Sequence, residues 1–237
     1  YVDSARHNNQ SIYCADHTAV RPAPASVLSS PFNVLVVMAP QIKFTYFTIP
    51  GRGEFIRLLL ACGGVEFVDE RVNHAQFGAL KPTLPLGQLP VIEVDGVTYS
   101  QSMAIARYAA KVAGLYPEDP VAALRNDMIS ETMCEFKNTF IAILFFEKDE
   151  AVKAEKTKAF IDETVPKTFR VLEGMVQGKF FGGDNIAHAD VQLFDLAMNG
   201  ITLMPEITLA GFPKLQAVVE NVKVNANIAA YLAKHQK

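Results

Sequence analysis

The sequence predicts a chain of two unlike parts: a small α/β domain with the element order β-α-β-α-β-β-α around a mixed four-stranded sheet, then an all-α domain. Three observations carry that prediction. A strand–turn–helix–strand pattern begins just after residue 40, Asp95-Gly96 gives a sharp hairpin signal, and helical periodicity runs almost unbroken from Pro120 onward. At 237 residues and 50% hydrophobic, the chain has apolar material for one large core or two smaller ones.

The first element, Ile42-Lys43-Phe44-Thr45-Tyr46-Phe47, alternates as a strand does. Pro50-Gly51-Arg52-Gly53 then turns the chain into a helix from Glu54 to Cys62, in which Phe55, Ile56, Leu59 and Leu60 recur at helical spacing. Gly63-Gly64 ends that helix and Val65 to Val72 reads as a second strand, so the β-α-β unit has parallel strands. A short helix follows near His74 to Leu80. Val91-Ile92-Glu93-Val94 and Val97-Thr98-Tyr99 flank Asp95-Gly96 and form adjacent antiparallel strands. Met103 to Ala113 opens a helix, and Pro117 and Pro120 mark a linker. The predicted domains are therefore residues 40–117 and 118–237.

Residues 1–39 stand apart. Most of that stretch is polar and patternless, with Pro22, Pro24 and Pro31, and Met38 sits just before the first strand-like run. Asp3, Asp16 and the shortness of the apolar run argue against a targeting segment, so a disordered leader, a tag or a non-native extension is expected.

Lys plus Arg number 22 against 25 Asp plus Glu, a net charge of −3 that offers no broad basic field. Nucleic acid and anionic lipid are not the expected partners. Cys14, Cys62 and Cys134 form neither a C-x-x-C pair nor a zinc-like group with histidine, which fits a reduced, cytoplasmic setting. No run approaches the roughly 20 apolar residues that cross a bilayer, so membrane insertion is not expected.

Lys43-Phe44-Thr45-Tyr46-Phe47 with Gly51-Arg52-Gly53-Glu54, then Leu89-Pro90-Val91, Val94-Asp95-Gly96, and Gln101-Ser102 through Ile105-Ala106-Arg107-Tyr108 resembles the sigma-class glutathione S-transferases, which include glutathione-dependent prostaglandin D synthases. The resemblance runs from about residue 40 to the end. It implies that the first domain is thioredoxin-like, that reduced glutathione is the co-substrate, that hydrophobic electrophiles are the partners and that the protein is a homodimer.

The resemblance also implies a site. Conjugation needs a thiolate, whereas a free thiol has a pKa of about 8.5, so a hydrogen-bond donor at the sulfur is required. Tyr46, at the end of the first strand, takes that role, and Arg52 supports it electrostatically. Ser102, as N-cap of the following helix, and Gln101 would hold the γ-glutamyl carboxylate. Leu89, before a cis Pro90, would bond the cysteinyl part through its backbone, with Gln88 flanking it and Lys81 pairing with the glycyl carboxylate. Phe77 stands where many relatives carry a tryptophan whose indole nitrogen bonds the glycine end. Glu135 would reach the γ-glutamyl amine from the partner subunit.

Glu131 and Glu135 echo an acidic divalent-ion cluster of prostaglandin D synthases, but Cys134 replaces an aspartate, so no metal is required. Asp190 resembles the fourth residue of a buried capping box in which Ala187 stands where Ser or Thr normally caps, while His188 reads as a neighbour of that cap and Cys62 as helix core. The electrophile is expected between the domains, along a helix face carrying Phe140, Leu144 and Phe145. Halogenated aromatics and lipid-derived carbonyls or peroxides are candidates. Two other readings compete: a prostaglandin D isomerase, and a non-catalytic protein of S-crystallin type.

Overall fold

The computed structural model describes residues 40–235, and the expectation for residues 1–39 lies outside them. Four strands form one sheet in the order β2-β1-β3-β4: β1 Ile42–Phe47, β2 Val68–Val72, β3 Val91–Val94 and β4 Val97–Ser100. β1 pairs parallel with β2 and antiparallel with β3, and β3 pairs antiparallel with β4. The sheet is mixed, as expected. Asp95 and Gly96 both take positive φ between the paired Val94 and Val97, the backbone that a two-residue turn matching strand twist requires.

β2 begins three residues later than the sequence reading placed it. The amide of Val65 is occupied in closing the preceding helix, donating to the Leu60 carbonyl at 2.9 Å, and register with β1 starts only at Lys43 opposite Val68. That helix, α1 Glu54–Cys62, buries nearly every side chain because it is covered on both sides. It lies on the sheet and also packs against α3 Ser102–Val112, α7 His188–Asp195 and α9 Ala226–His235. Between β2 and β3 comes α2 His74–Leu80, opened by an Asn73–Gln76 capping box.

The helical half opens with α4 Pro120–Ile141, where Asp119 accepts from the Ala122 amide and Pro120 occupies the first turn. α4 runs into a π-helical turn, Ala142–Phe146. α5 Glu150–Ala159, α6 Val165–Met175, α7 and α8 Pro213–Lys223 follow before α9. Met133, Phe136 and Phe140 occupy one buried stripe of α4, and Phe136 and Phe140 meet Phe160 at 4.9 and 6.3 Å between ring centroids. Cys62 belongs to the core of α1 as expected, and burial pushes its thiol up to about 11. Among the described residues no helix is long and apolar enough to cross a membrane.

Candidate active site

β1 ends beneath the turn 50–53, and Tyr46 is pinned there. Its ring is only 6% exposed, stacked beside Phe44 and edge-on to Phe47. Two glycines make the fit possible: a Cβ on Gly53 would stand 2.2 Å from Tyr46 Cδ1, and one on Gly51 would stand 2.5 Å from the Tyr46 hydroxyl. The backbone amide of Arg52 donates to that hydroxyl at 3.0 Å. A hydroxyl that accepts there keeps its own hydrogen to donate elsewhere.

Arg57, one turn into α1, is fully buried beneath the same aromatic pair, its guanidinium 5.4 Å from the Phe44 centroid and 5.8 Å from that of Tyr46. It donates to Asp69 at 2.8 Å, to Glu54 at 3.2 Å and to the Phe47 carbonyl at 3.0 Å, so its charge is balanced and each of its nitrogens makes a hydrogen bond. Glu54 in turn accepts from Tyr231 at 2.7 Å, which ties α9 to α1. The sequence reading passed over Arg57, since one cation within a run of apolar residues gives no sign of burial.

A cleft of about 530 Å³ opens beside this turn, lined by Phe47, Arg52, Phe77, Gln88, Leu89, Pro90, Gln101 and Ser102 among others. Seven of the ten residues that the sequence reading assigned to glutathione thus share one concavity. Tyr46, Lys81 and Glu135 are not among its lining residues. The Leu89–Pro90 bond is cis, as expected. Phe77 meets Phe47 edge-on at 5.3 Å. Lys81 is exposed in a short 3-10 turn, with the space beside Gly87 next to its side chain. Glu135 is exposed on α4.

One local expectation is corrected. Ser102 is the first residue of α3 rather than its cap; the cap position belongs to Gln101, at φ 80°, and the helix runs Ser102–Val112 rather than from Met103. The Gln101 carbonyl accepts the first helical bond from the Ile105 amide at 2.9 Å. The amides of the first turn are therefore not used within the helix. Gln101 holds a left-handed conformation that is uncommon without glycine, at the rim of the cleft.

Arg52 also borders a second, smaller recess of about 30 Å³, enough for a single water, with Phe55, Met103, Met133, Cys134, Lys137, Asn138, Gln192, Asp195 and Leu196. Phe140, Leu144 and Phe145, the residues expected along the electrophile face, do not line it. Phe140 is 2% exposed in the core, and Phe145 is 65% exposed at the end of the π-helical turn. The residues of α4 that reach the recess are Met133, at the edge of the buried stripe, and Cys134, Lys137 and Asn138, which are rotated from the side carrying Phe136 and Phe140. Four polar contacts cross here. Arg52 donates to Asn138 at 2.9 Å, Lys137 donates to the Gly51 carbonyl and to Asp195 at 2.9 Å each, and Asn199 donates to Asp195 at 3.1 Å.

Glu131 pairs with Arg107, which also donates to Asp127 at 3.1 Å. Asp190 accepts from the Ala187 and Phe181 amides at 2.8 Å each, so its half of the capping box is present, while Ala187 has no side-chain acceptor to return the bond. His188 is buried, stacked on Tyr116 at 5.2 Å.

A sheet-and-helix half bearing a buried tyrosine, a cis proline and a cleft at the start of a helix, followed by a helical half, defines a thioredoxin-like fold joined to an all-helical bundle. The family model for the glutathione S-transferase N-terminal domain matches residues 42–111, and that for the C-terminal domain matches residues 134–235. A glutathione S-transferase of Anopheles gambiae is 36% identical over 199 residues, covering 82% of this chain and 97% of its own. Among solved structures, a prostaglandin synthase D of Nilaparvata lugens aligns with a TM-score of 0.76 at 31% identity, covering 82% of this chain and 98% of its own. A sigma class transferase of Fasciola hepatica aligns at 0.74 and 29%, covering 84% and 98%. The chain belongs to the glutathione S-transferase family.

Proposed function

We propose that this chain is a sigma-class-like glutathione S-transferase in which Tyr46 stabilises the thiolate of bound glutathione for attack on hydrophobic electrophiles. The observation that carries the reading is the 3.0 Å bond from the Arg52 amide to the Tyr46 hydroxyl, which orients the phenol and leaves its hydrogen to donate to sulfur. The thiol proton leaves, the sulfur bonds to the electrophilic carbon, and a leaving group such as chloride departs from that carbon. The Arg52 guanidinium, at the edge of both recesses, adds positive charge beside the developing anion.

In this reading Gln101, Ser102 and the free amides of the first turn of α3 receive the γ-glutamyl carboxylate, and the Leu89 backbone holds the cysteinyl part with Gln88 beside it. Lys81 pairs with the glycyl carboxylate. Phe77 offers that end a ring face and no donor, which weakens the grip on glutathione relative to a tryptophan. Glu135 serves the partner subunit's site in a homodimer. Met103, half-buried beside Arg52, supplies apolar contact for the electrophile, while Met133 and Leu196 are buried. The division into residues 40–117 and 118–237 belongs to the same reading, supported by two family models that match separate stretches.

The test follows conjugation of glutathione to 1-chloro-2,4-dinitrobenzene in the intact protein and in Tyr46→Phe, after both are shown to bind a glutathione resin. Loss of about a hundredfold in kcat with resin binding kept is expected. A resin-binding protein without activity toward this or other electrophiles would sink the reading in favour of a ligand-binding role. The likeness to a prostaglandin synthase favours a second reading, a glutathione-dependent isomerase making a prostaglandin D product, and product analysis on the endoperoxide substrate separates the two.

A further inference from the structure

Both ends of a single peptide group in the turn 50–53 are engaged. Its N–H, from Arg52, donates to the Tyr46 hydroxyl at 3.0 Å, and its carbonyl, from Gly51, accepts from the Lys137 ammonium at 2.9 Å. Lys137 comes from α4 and is held in turn by Asp195 of α7 at 2.9 Å, a carboxylate only 2% exposed that also accepts from Asn199 at 3.1 Å. A continuous line of hydrogen bonds thus runs from the helical half, through one peptide, to the phenol at the end of β1.

We propose that Lys137, held by Asp195, is a positioning residue for the thiol-activating tyrosine, acting through the Gly51–Arg52 peptide. The inference rests on the assignment of Tyr46 above. Two physical effects follow from the geometry. The first is orientation. Gly51 sits at φ 44°, where glycine leaves the peptide free to rotate, and a rotated peptide would present its carbonyl to the Tyr46 hydroxyl. The hydroxyl would then donate to that carbonyl instead of to sulfur, and the ammonium at the carbonyl end holds the peptide against this rotation. The second is polarisation. A charge-assisted bond to the carbonyl is roughly twice as strong as a neutral one, and bonds in a chain strengthen one another by roughly 10–30% each. The Arg52 N–H becomes a stronger donor, and the phenol that accepts from it becomes a better donor to the thiolate.

Asp195 keeps the ammonium in place: it occupies one donor of Lys137, leaving another for Gly51. Since the recess around the pair has room for about one water, solvent does not compete freely for these bonds. An ion pair serving only to hold α4 against α7 would leave the sulfur unaffected when removed, and that difference is measurable.

The experiment titrates the ultraviolet absorbance of the thiolate of glutathione bound to the full chain, with steady-state kinetics alongside, in the intact protein and in Lys137→Met, Lys137→Arg, Tyr46→Phe and Tyr46→Phe/Lys137→Met. Lys137→Met is expected to raise the pKa of bound glutathione by about half a unit to one unit and to lower kcat about three- to tenfold, with KM for glutathione within about twofold. Lys137→Arg, which keeps a cationic donor, restores most of both. In the Tyr46→Phe background Lys137→Met should add no further shift, because its effect passes through the phenol. Asp195→Asn carries the same expectation at smaller size and keeps the test available should Lys137→Met fail to fold. An unshifted thiol in Lys137→Met, or shifts that add in the double variant, overturns the proposal and leaves the assignment of Tyr46 standing. An unshifted thiol in Tyr46→Phe itself overturns that assignment and the proposal with it.

Discussion

Tyr46 is held between two glycines and over a buried arginine, so small changes beside it have large effects. At Gly53 an added methyl meets the ring itself, 2.2 Å from Cδ1 and 2.6 Å from Cγ, with the ring fixed by Phe44 and Phe47. Gly53→Ala is expected to lower stability by about 1–3 kcal/mol and to displace the phenol from the Arg52 amide. Urea unfolding reads the first effect and kcat with a halogenated aromatic reads the second. A Gly53→Ala protein with unchanged unfolding midpoint and turnover would show that the turn yields, contrary to the packing. The sequence pointed to Tyr46 and Arg52 through their motif. It missed Arg57 and Lys137, because an arginine one turn into an apolar helix and a lysine 86 positions from the carbonyl it binds carry no local signature.

At the scale of one element, two of the buried ionisable groups of α7, His188 and Asp190, have titrations that oppose each other. Burial pulls His188 down to about 4 despite Asp127, whose Oδ1 lies 3.3 Å from Nε2 without the alignment of a hydrogen bond. Burial pushes Asp190 up to about 6 against the pull of its backbone amide donors. Native His188 binds fewer protons than the unfolded chain between about pH 4 and 6.5, so its contribution is present above that window and is lost as pH falls through about 4. Native Asp190 binds more protons than the unfolded chain between its ordinary value and about 6, so its contribution is present at low pH and is lost as pH rises through about 6. In the shared part of the window the two slopes nearly cancel.

His188→Phe, which keeps the stacking against Tyr116, removes one of them. Its stability relative to the intact protein should fall by about 1–3 kcal/mol between pH 4 and 6, as the Asp190 contribution is lost unopposed. Unfolding curves at several pH values across this range measure the difference, and parallel pH profiles for the two proteins would refute it. The sequence placed His188 correctly as a neighbour of the cap, but the burial that sets its titration depends on packing against Tyr116 and Asp127 from elsewhere in the chain.

For the whole molecule, the homodimer reading gives Glu135 a task that one chain cannot reveal. It is exposed on α4, away from the cleft lined by Gln101 and Ser102, as a residue serving a neighbouring subunit would be. Glu135→Gln should raise KM for glutathione about three- to tenfold with kcat little changed, while sedimentation velocity still reports a dimer. A monomer of unimpaired affinity would end that assignment. The halves meet where Lys137 and Asn138 reach Gly51 and Arg52, so the turn over Tyr46 is set by helices that follow it by more than eighty residues.

The sequence by itself determined the order of elements, the mixed sheet and the Asp95-Gly96 hairpin, and its motifs singled out residues from Arg52 to Ser102 that the structure gathers around one cleft. These depend on periodicity, turn chemistry and motifs that lie within a few residues of one another. Even there it misjudged ends: β2 starts at Val68 because the Val65 amide closes α1, and α3 starts at Ser102 with Gln101 as its cap. Only the tertiary structure decided which stripe of α4 faces the site, putting Lys137 and Asn138 there and Phe140 in the core. It also decided that Lys137 and Asp195 meet behind the turn that holds Tyr46. The physical reason is one of range: helical phase and strand alternation are fixed by near neighbours, whereas burial and the pairing of distant charges exist only after the chain has packed.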